Sequence, residues 1–406
     1  MSNCKIVKGG VASAKGFLAA GVPAEIKYKG RNDVALVVAD TVCNFAGVFT
    51  TNKVAAAPVI YDRAVAKGGK AQVILANSGC ANACTGELGM KDATRSAIET
   101  AITLGVQPGH VLVASTGVIG RPLPMDRLLK GMRDAAGKIK SGYEAGHQAE
   151  LAIMTTDTKP KEACAQVKIG GKLVTVGGMT KGSGMIEPNM ATMLGFITTD
   201  CAISTTMLKR AQLLALNKSF NRVVVDGDES TNDSFFLLAS GRAGNKEITK
   251  AGKDFDLFVE ALETVAISLA KQMAADGEGA TKFVTVLVKG AKNDKDAERA
   301  ARAIAKSPLA KTAWFGKDPN WGRVLAAVGY SGAAVEDMKA EIFYDKVWAF
   351  KQGKVADEKQ LKKLEAVLAK DSFSVVADLH LGTGSATIYT CDFSLDYVHI
   401  NADYTT

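Results

Sequence analysis

Lys181-Gly182-Ser183-Gly184-Met185-Ile186-Glu187-Pro188-Asn189-Met190-Ala191-Thr192-Met193-Leu194-Gly195-Phe196-Ile197-Thr198-Thr199-Asp200 passes from a glycine-rich, proline-containing loop into an apolar, β-branched strand, with Thr192 at the junction. Glycine lets backbone approach a reacting centre without a Cβ in the way. A threonine hydroxyl is a poor nucleophile alone and needs a base beside it. Cutting the peptide bond between Ala191 and Thr192 would supply one, because Thr192 would then carry both the hydroxyl and a free α-amine. Such an amine has an unperturbed pKa of about 7.7–8.0, close to working pH, where a general base is most effective. By residue type alone the stretch also reads as an ordinary loop-to-strand turn, and both readings stand at this point.

Around this stretch lie 406 residues, enough for a large core or two to three domains. The 47% hydrophobic and 23% charged content is that of a soluble globular protein. No apolar run approaches the ~18 residues that suggest a membrane span. The opening residues have neither an apolar signal core nor an arginine-rich transit character, so the expected location is the cytoplasm. Seven scattered cysteines are an odd set that reads as reduced thiols. Cys80 and Cys84 are four apart, but no second pair or histidine at zinc-finger spacing supports a metal site. Behind the net charge of +8, Lys and Arg are spread along helices such as 297–306 and 358–370 beside acidic residues, not gathered into one block. That pattern predicts a solvated surface with some attraction for small anions, and neither nucleic acid nor membrane as partner.

Strands and helices alternate, with no internal repeat and no low-complexity linker. Residues 72–76 and 111–115 read as buried strands, with a helix over 88–104 between them closed by Gly105. Residues 166–169 and 172–176 flank Gly170-Gly171, a hairpin signal just upstream of the glycine loop. A helix over 207–217 and a strand over 222–225 follow. From 254 to 275, Phe258, Leu262, Val265, Leu269 and Met273 recur at steps of four and three, which makes one apolar stripe. The end of this helix delivers Asp276-Gly277-Glu278-Gly279, a C-cap followed by a carboxylate. A strand over 282–289 precedes lysine-rich helices and alternating strands at 372–380 and 386–392. The expectation is an α/β (α+β) chain with a catalytic core in 1–289 and a smaller C-terminal α/β domain in 290–406.

Residues 182–193, Gly-Ser-Gly-Met-Ile-x-Pro-Asn-Met-Ala-Thr-Met, resemble the self-cleavage site of the glutamate N-acetyltransferase (ornithine acetyltransferase) family of arginine biosynthesis. Other segments resemble the family in the same order. They are Phe49-Thr50-Thr51-Asn52-Lys53, Asn77-Ser78-Gly79-Cys80-Ala81-Asn82-Ala83-Cys84-Thr85-Gly86, Ser115-Thr116-Gly117-Val118-Ile119-Gly120 and Met154-Thr155-Thr156-Asp157-Thr158. Asp226-Gly227-Asp228-Glu229-Ser230-Thr231-Asn232-Asp233, Asp276-Gly277-Glu278-Gly279-Ala280-Thr281-Lys282, Asp318-Pro319-Asn320-Trp321-Gly322-Arg323 and the last six residues continue the series.

The resemblance implies a four-layer α/β/β/α sandwich like that of N-terminal-nucleophile enzymes. It implies self-cleavage into an alpha chain, 1–191, and a beta chain starting at Thr192, with two copies of each. The implied reaction moves an acetyl group from N2-acetylornithine to glutamate through an acetyl-threonine on Thr192, with no external cofactor. The sequence leaves open whether acetyl-CoA is a second donor. Thr116 and Gly117 match the oxyanion pair, and Thr155, Lys181, Thr192, Glu278, Asn401 and Thr406 match substrate-binding positions. A point cation such as Lys181 suits an α-carboxylate, and the charge of Glu278 suits the ornithine ammonium. The tail that carries Asn401 and Thr406 is then expected to return to the active site. Cys80 stands where the family pattern has asparagine, which puts the local hydrogen bonding in doubt.

Competing signals are weaker. Gly382-Thr383-Gly384-Ser385 looks like a phosphate loop but leads into the strand-like 386–390, so a bend within a sheet is the better reading. The four histidines fall outside every matched catalytic segment. The 226–233 segment lacks the spacing of a calcium loop and is expected to position the loop around the nucleophile. Two rival functions remain at this level: a self-processing aminopeptidase or amidase, and an uncut, non-enzymatic anion-binding regulator. If the Thr406 carboxylate adds negative charge beside the ornithine ammonium, amidating the C-terminus or appending a residue will raise the KM for N-acetylornithine. An unchanged KM would remove Thr406 from the site.

Overall fold

The computed structural model describes residues 4–187 and 193–403. Its spine is the sixteen-residue strand Val34–Phe49, which runs through a single nine-stranded sheet and bends it into two facing half-sheets. Its first part, Val34–Ala39, lies antiparallel to Phe17–Val22 on one side and to Lys70–Asn77 on the other. Val111–Ser115 then adds in parallel outside Lys70–Asn77. A register shift between Val38 and Cys43 bends the strand, as bulges do. Its second part, from Asn44 onward, pairs with Ser234–Ala239, and that half-sheet continues through Leu194–Thr199, Lys172–Lys181 and Glu162–Ile169 to Cys4–Val7.

The period-2 alternation of these strands sets the layers. Phe236 and Leu238 face Phe196, Ile74, Val37 and Leu112 in a core between the two half-sheets. Their neighbours Phe235 and Leu237 face the opposite way, onto helices Thr205–Lys218 and Lys253–Ala275. On the far side, Leu36, Leu75 and Val113 pack against helices Gly86–Leu104 and Met125–Ala136. The order is helix, sheet, sheet, helix, the four layers that the resemblance implies.

The local expectations hold closely. Glu162–Ile169 and Lys172–Lys181 form the hairpin, with Ile169 opposite Lys172 across Gly170-Gly171. Helix Lys253–Ala275 buries Phe258, Leu262, Val265, Leu269 and Met273. Asp276 caps it at φ −106°, and the left-handed glycine comes at Gly279, φ +67°. The strand expected at 222–225 is only Val223–Val224. It leaves the first sheet system and pairs in parallel with Tyr389–Thr390.

That pairing makes it the edge of a second, seven-stranded sheet that also contains Phe283–Ala291, Gly384–Cys391 and Ser372–Asp378. Helices Asp294–Lys306, Pro308–Phe315, Trp321–Tyr330 and Glu358–Leu368 cover one face of it. Tyr389 and Cys391 on its other face join the core beneath Lys253–Ala275. Among the described residues no helix is long and apolar enough to cross a membrane.

Asp62, in helix Ala57–Gly68, is fully buried and accepts only the Val113 N–H, at 3.0 Å. Burial pushes its carboxyl well above the usual range, and the single hydrogen bond offsets this only partly. The folded state therefore holds a proton that the unfolded chain releases above pH ~3.9. Stability should fall as pH rises from there to the native pKa, by about 1.4 kcal/mol for each pH unit of that window. Asp62→Asn lacks this dependence. Thermal unfolding from pH 4 to 8 should show the wild type losing ground to the Asn variant as pH rises, and a constant gap would refute the assignment.

Candidate active site

Several strand ends meet at one edge of the sandwich. In the antiparallel pair Lys172–Lys181 and Leu194–Thr199, Lys181 lies opposite Leu194, so the glycine loop leaves and returns at neighbouring positions. Ser234 lies beside Leu194 in the parallel strand, and its N–H donates to the Met193 carbonyl at 2.8 Å. The other half-sheet contributes the ends at Asn77 and Ser115. Asn232 joins the two half-sheets: its Nδ2 donates to the carbonyls of Ala81 at 2.6 Å and Ser115 at 2.8 Å.

At this junction opens a cavity of about 280 Å³. Thr116, Gly117, Thr155, Lys181, Glu278 and Asn401 all line it. Those are all the sequence-predicted site residues that fall among the described ones. Ala191, Thr192 and Thr406 lie outside the described residues, although Met193, directly after Thr192, is part of the wall.

The loop itself is held by side chains. Asp226 accepts the N–H groups of Met185 at 2.6 Å, Ile186 at 2.8 Å and Asp228 at 3.1 Å. Glu187 N–H donates to the Asp228 carbonyl, and Val225 N–H to the Ile186 carbonyl. The acidic segment 226–233 is in turn fastened to 50–56. Thr50 Oγ1 donates to the Ser230 carbonyl, Asn52 Nδ2 to that of Glu229, and Ala56 N–H to that of Thr231. This geometry fits the loop-positioning role expected for the segment.

At the end of the buried strand, Lys181 Nζ donates to Thr116 Oγ1 at 3.3 Å. With its oxygen accepting from the ammonium, the threonine hydroxyl keeps its own hydrogen to donate elsewhere. Gly117 has φ +127°, and a Cβ there would lie 2.4 Å from the Gly79 carbonyl carbon. No side chain fits between these two backbones. Cys80, buried beside them, directs its thiol to the Arg121 carbonyl at 3.4 Å, and burial pushes that thiol up in pKa. Its carbonyl accepts from Asn77 Nδ2 at 2.9 Å.

Glu278, also in the wall, is buried, with its N–H donating to the Ser183 carbonyl at 2.8 Å. A Cβ on Gly184 would lie 2.3 Å from the Glu278 carboxyl carbon, so loop backbone and carboxylate are in direct contact. Helix Leu395–Asp403 brings the tail here, and Asn401 Nδ2 donates to Glu278 Oε2 at 2.8 Å. Burial pushes the Tyr397 hydroxyl up, and Asp226, Asp228 and Glu278 push it further. The lining thus offers a cation and hydroxyls together with carboxylate and amide groups.

Sequence reasoning missed Asp157, Lys161 and Asp276 as a cluster behind the cavity. Lys161 is buried between Asp157, at 2.7 Å, and Asp276, at 2.6 Å. Burial alone would raise the Asp157 carboxyl, but Lys161 and Lys181 outweigh it and hold it well below the carboxylate range. Asp157 and Asp276 did sit inside segments marked by the resemblance. A lysine four residues after the first of them was the available signal.

A profile of the ArgJ family matches residues 18–406. An arginine biosynthesis bifunctional protein ArgJ of Symbiobacterium thermophilum is 49% identical over 402 residues, covering 98% of this chain and 99% of that one. The protein of the same name from Geobacter sulfurreducens is 48% identical over 394 residues, covering 97% and 100%. The crystal structure of arginine biosynthesis bifunctional protein argJ from Bacillus halodurans matches with a TM-score of 0.51 and 42% identity, covering 52% of this chain and 100% of that one.

The close approach at Gly117 predicts two different costs for alanine. Gly120 also has a left-handed φ, +78°, but nothing stands within 4 Å of its would-be Cβ. Gly120→Ala should cost about 1–2 kcal/mol of backbone strain. Gly117→Ala adds a collision with backbone and should cost about 1–3 kcal/mol more. Denaturant midpoints at equal slope measure both, and equal losses would contradict the packing described.

Proposed function

This chain belongs to the ArgJ family, and from that membership we propose that it carries an acetyl group from N2-acetylornithine to glutamate on Thr192, after cutting itself before that residue. It is an acetyltransferase of arginine biosynthesis. The observation that carries the residue assignment is the convergence of Thr116, Gly117, Thr155, Lys181, Glu278 and Asn401 on one cavity, beside the strand that follows Thr192. A further support is size. The Bacillus halodurans crystal chain is matched over its whole length by 52% of this chain, and the fragment 192–406 would be 215 of 406 residues.

In the proposed cycle Thr192 Oγ attacks the acetyl carbonyl while the Thr192 α-amine takes the hydroxyl proton. The tetrahedral oxyanion receives hydrogen bonds from the Thr116 hydroxyl and the Gly117 N–H, groups worth about 2.7–4 kcal/mol each in such a role. Lys181, bonded to Thr116 Oγ1, fixes the direction of that hydroxyl and neutralises the substrate α-carboxylate. The ammonium formed on Thr192 protonates the departing ornithine nitrogen, leaving an acetyl ester. Glutamate then enters, loses a proton to the same amine and takes the acetyl group, and that proton passes to Thr192 Oγ as the ester bond breaks, restoring hydroxyl and free amine. One amide replaces another, so the exchange is nearly balanced, provided water is kept from the ester. Glu278, held by Asn401, faces the ornithine ammonium.

The proposal places the catalytic core in residues 1–289 and a smaller unit in 290–406, whose tail closes over the cavity. It also includes two copies of each fragment, a cytoplasmic location and no bound cofactor, and it leaves the use of acetyl-CoA as a second donor to the assay below.

Thr192→Ala should run as a single full-length band on a denaturing gel and lose transfer by about 10⁴-fold or more. Wild type should give two bands, the second beginning Thr-Met-Leu-Gly. Incubation with glutamate and either N-acetylornithine or acetyl-CoA identifies the donors by which one yields acetylglutamate. Free acetate in place of acetylglutamate would convert the assignment to an amidase.

A further inference from the structure

Behind the cavity the Lys161 ammonium has three acceptors: Asp157 Oδ1 at 2.7 Å, Asp276 Oδ2 at 2.6 Å and the Lys159 carbonyl at 3.1 Å. Its three N–H bonds are therefore all used. Its side chain and that of Asp157 are 1% and 0% exposed, and that of Asp276 is 5% exposed. A desolvated ion cluster of this kind is costly to disturb, since removing one member strands the others in low dielectric.

Each carboxylate has a second task. Asp157 accepts the N–H of Gly182 at 2.7 Å and of Thr155 at 2.9 Å, so it fixes the residue after Lys181 and a second wall residue. Asp276 accepts the N–H groups of Thr158 at 3.0 Å and Lys159 at 3.3 Å, together with the Thr158 hydroxyl. It lies two residues before Glu278, whose N–H returns to the Ser183 carbonyl. Asp157, Lys161 and Lys181 precede position 192, and Asp276 and Glu278 follow it.

We propose that Lys161 is a positioning residue, which by bridging Asp157 and Asp276 sets the separation of Lys181 and Glu278 across the two fragments and so selects the length of the amino-acid substrate. The inference rests on the reading of Lys181 and Glu278 as the anchors for the substrate carboxylate and side-chain ammonium. A cation that grips the carboxylate and a carboxylate that grips the ammonium measure the chain between them. Their spacing is only as fixed as the bridge that joins the two backbones.

Asp276→Asn tests this most directly, because it keeps the Asp157–Lys161 pair and an acceptor oxygen while weakening the bridge. Lys161→Met is the severe variant, and the decision does not depend on its folding. For each processed enzyme, kcat and KM are measured with N2-acetylornithine and with N2-acetyllysine, one methylene longer. The expected result for Asp276→Asn is two bands on the gel, a KM for N2-acetylornithine raised about tenfold with a smaller change in kcat, and a preference over N2-acetyllysine reduced about threefold or more. An unchanged KM and preference with only a lowered Tm would make the cluster purely structural and overturn the proposal. A single uncut band would also overturn it, by assigning the cluster to processing. If the wild type itself transfers no acetyl group, the underlying reading fails, which is a separate outcome.

Discussion

Residues 182–187 have buried amide groups and no strand ladder of their own, and backbone polar groups away from water must be paired. The pairing is done by other parts of the chain. Asp157 takes Gly182, Asp226 takes Met185 and Ile186, and the Asp228 carbonyl takes Glu187. The loop's own carbonyls at Ser183 and Ile186 accept from Glu278 and Val225. Three distant segments are thereby committed to one loop, and the cavity takes its shape from that commitment. A glycine-rich backbone can serve here because partners elsewhere in the chain pair its amides, and the Ser183 hydroxyl and the Glu187 carboxylate add side-chain ties to Thr156 and Lys306.

The electrostatics follow the same division. The Lys181 ammonium lies beside Thr116 and near Asp157, while Glu278 and Asn401 are bonded to each other in the lining of the same cavity. Asp226, despite its three N–H donors, is pushed up by burial. Lys161 meets two carboxylates, and they hold its ammonium in the charged form against the effect of burial. Charges in such a dry setting act strongly on one another and little on bulk solvent. A zwitterionic small molecule is the ligand chemistry that this arrangement matches.

What the sequence made legible was local. The stripe Phe258, Leu262, Val265, Leu269 and Met273 has a helical period, and Gly170-Gly171 carries its own turn chemistry, so both elements could be placed within a residue or a few. Sequence resemblance named the candidate site residues, and the described ones line one cavity in the fold. The bend of Val34–Phe49 that folds one sheet into two facing halves was not legible, because it goes with a register shift against its partner strand. The Lys161–Asp276 contact spans 115 residues, and no periodicity reports a pairing of that range. Val223–Val224 looked like a longer strand of the same core, because apolar β-branched residues do not name the sheet they join.

That short strand carries a consequence for how the molecule is built. Val224 lies against Thr390 in the distal sheet, Val225 donates to Ile186, and Asp226 grips Met185 and Ile186. Three consecutive residues thus tie the seven-stranded sheet to the glycine loop. The distal sheet is therefore no exchangeable appendage: recombination that replaced it would have to rebuild an edge on which that loop leans.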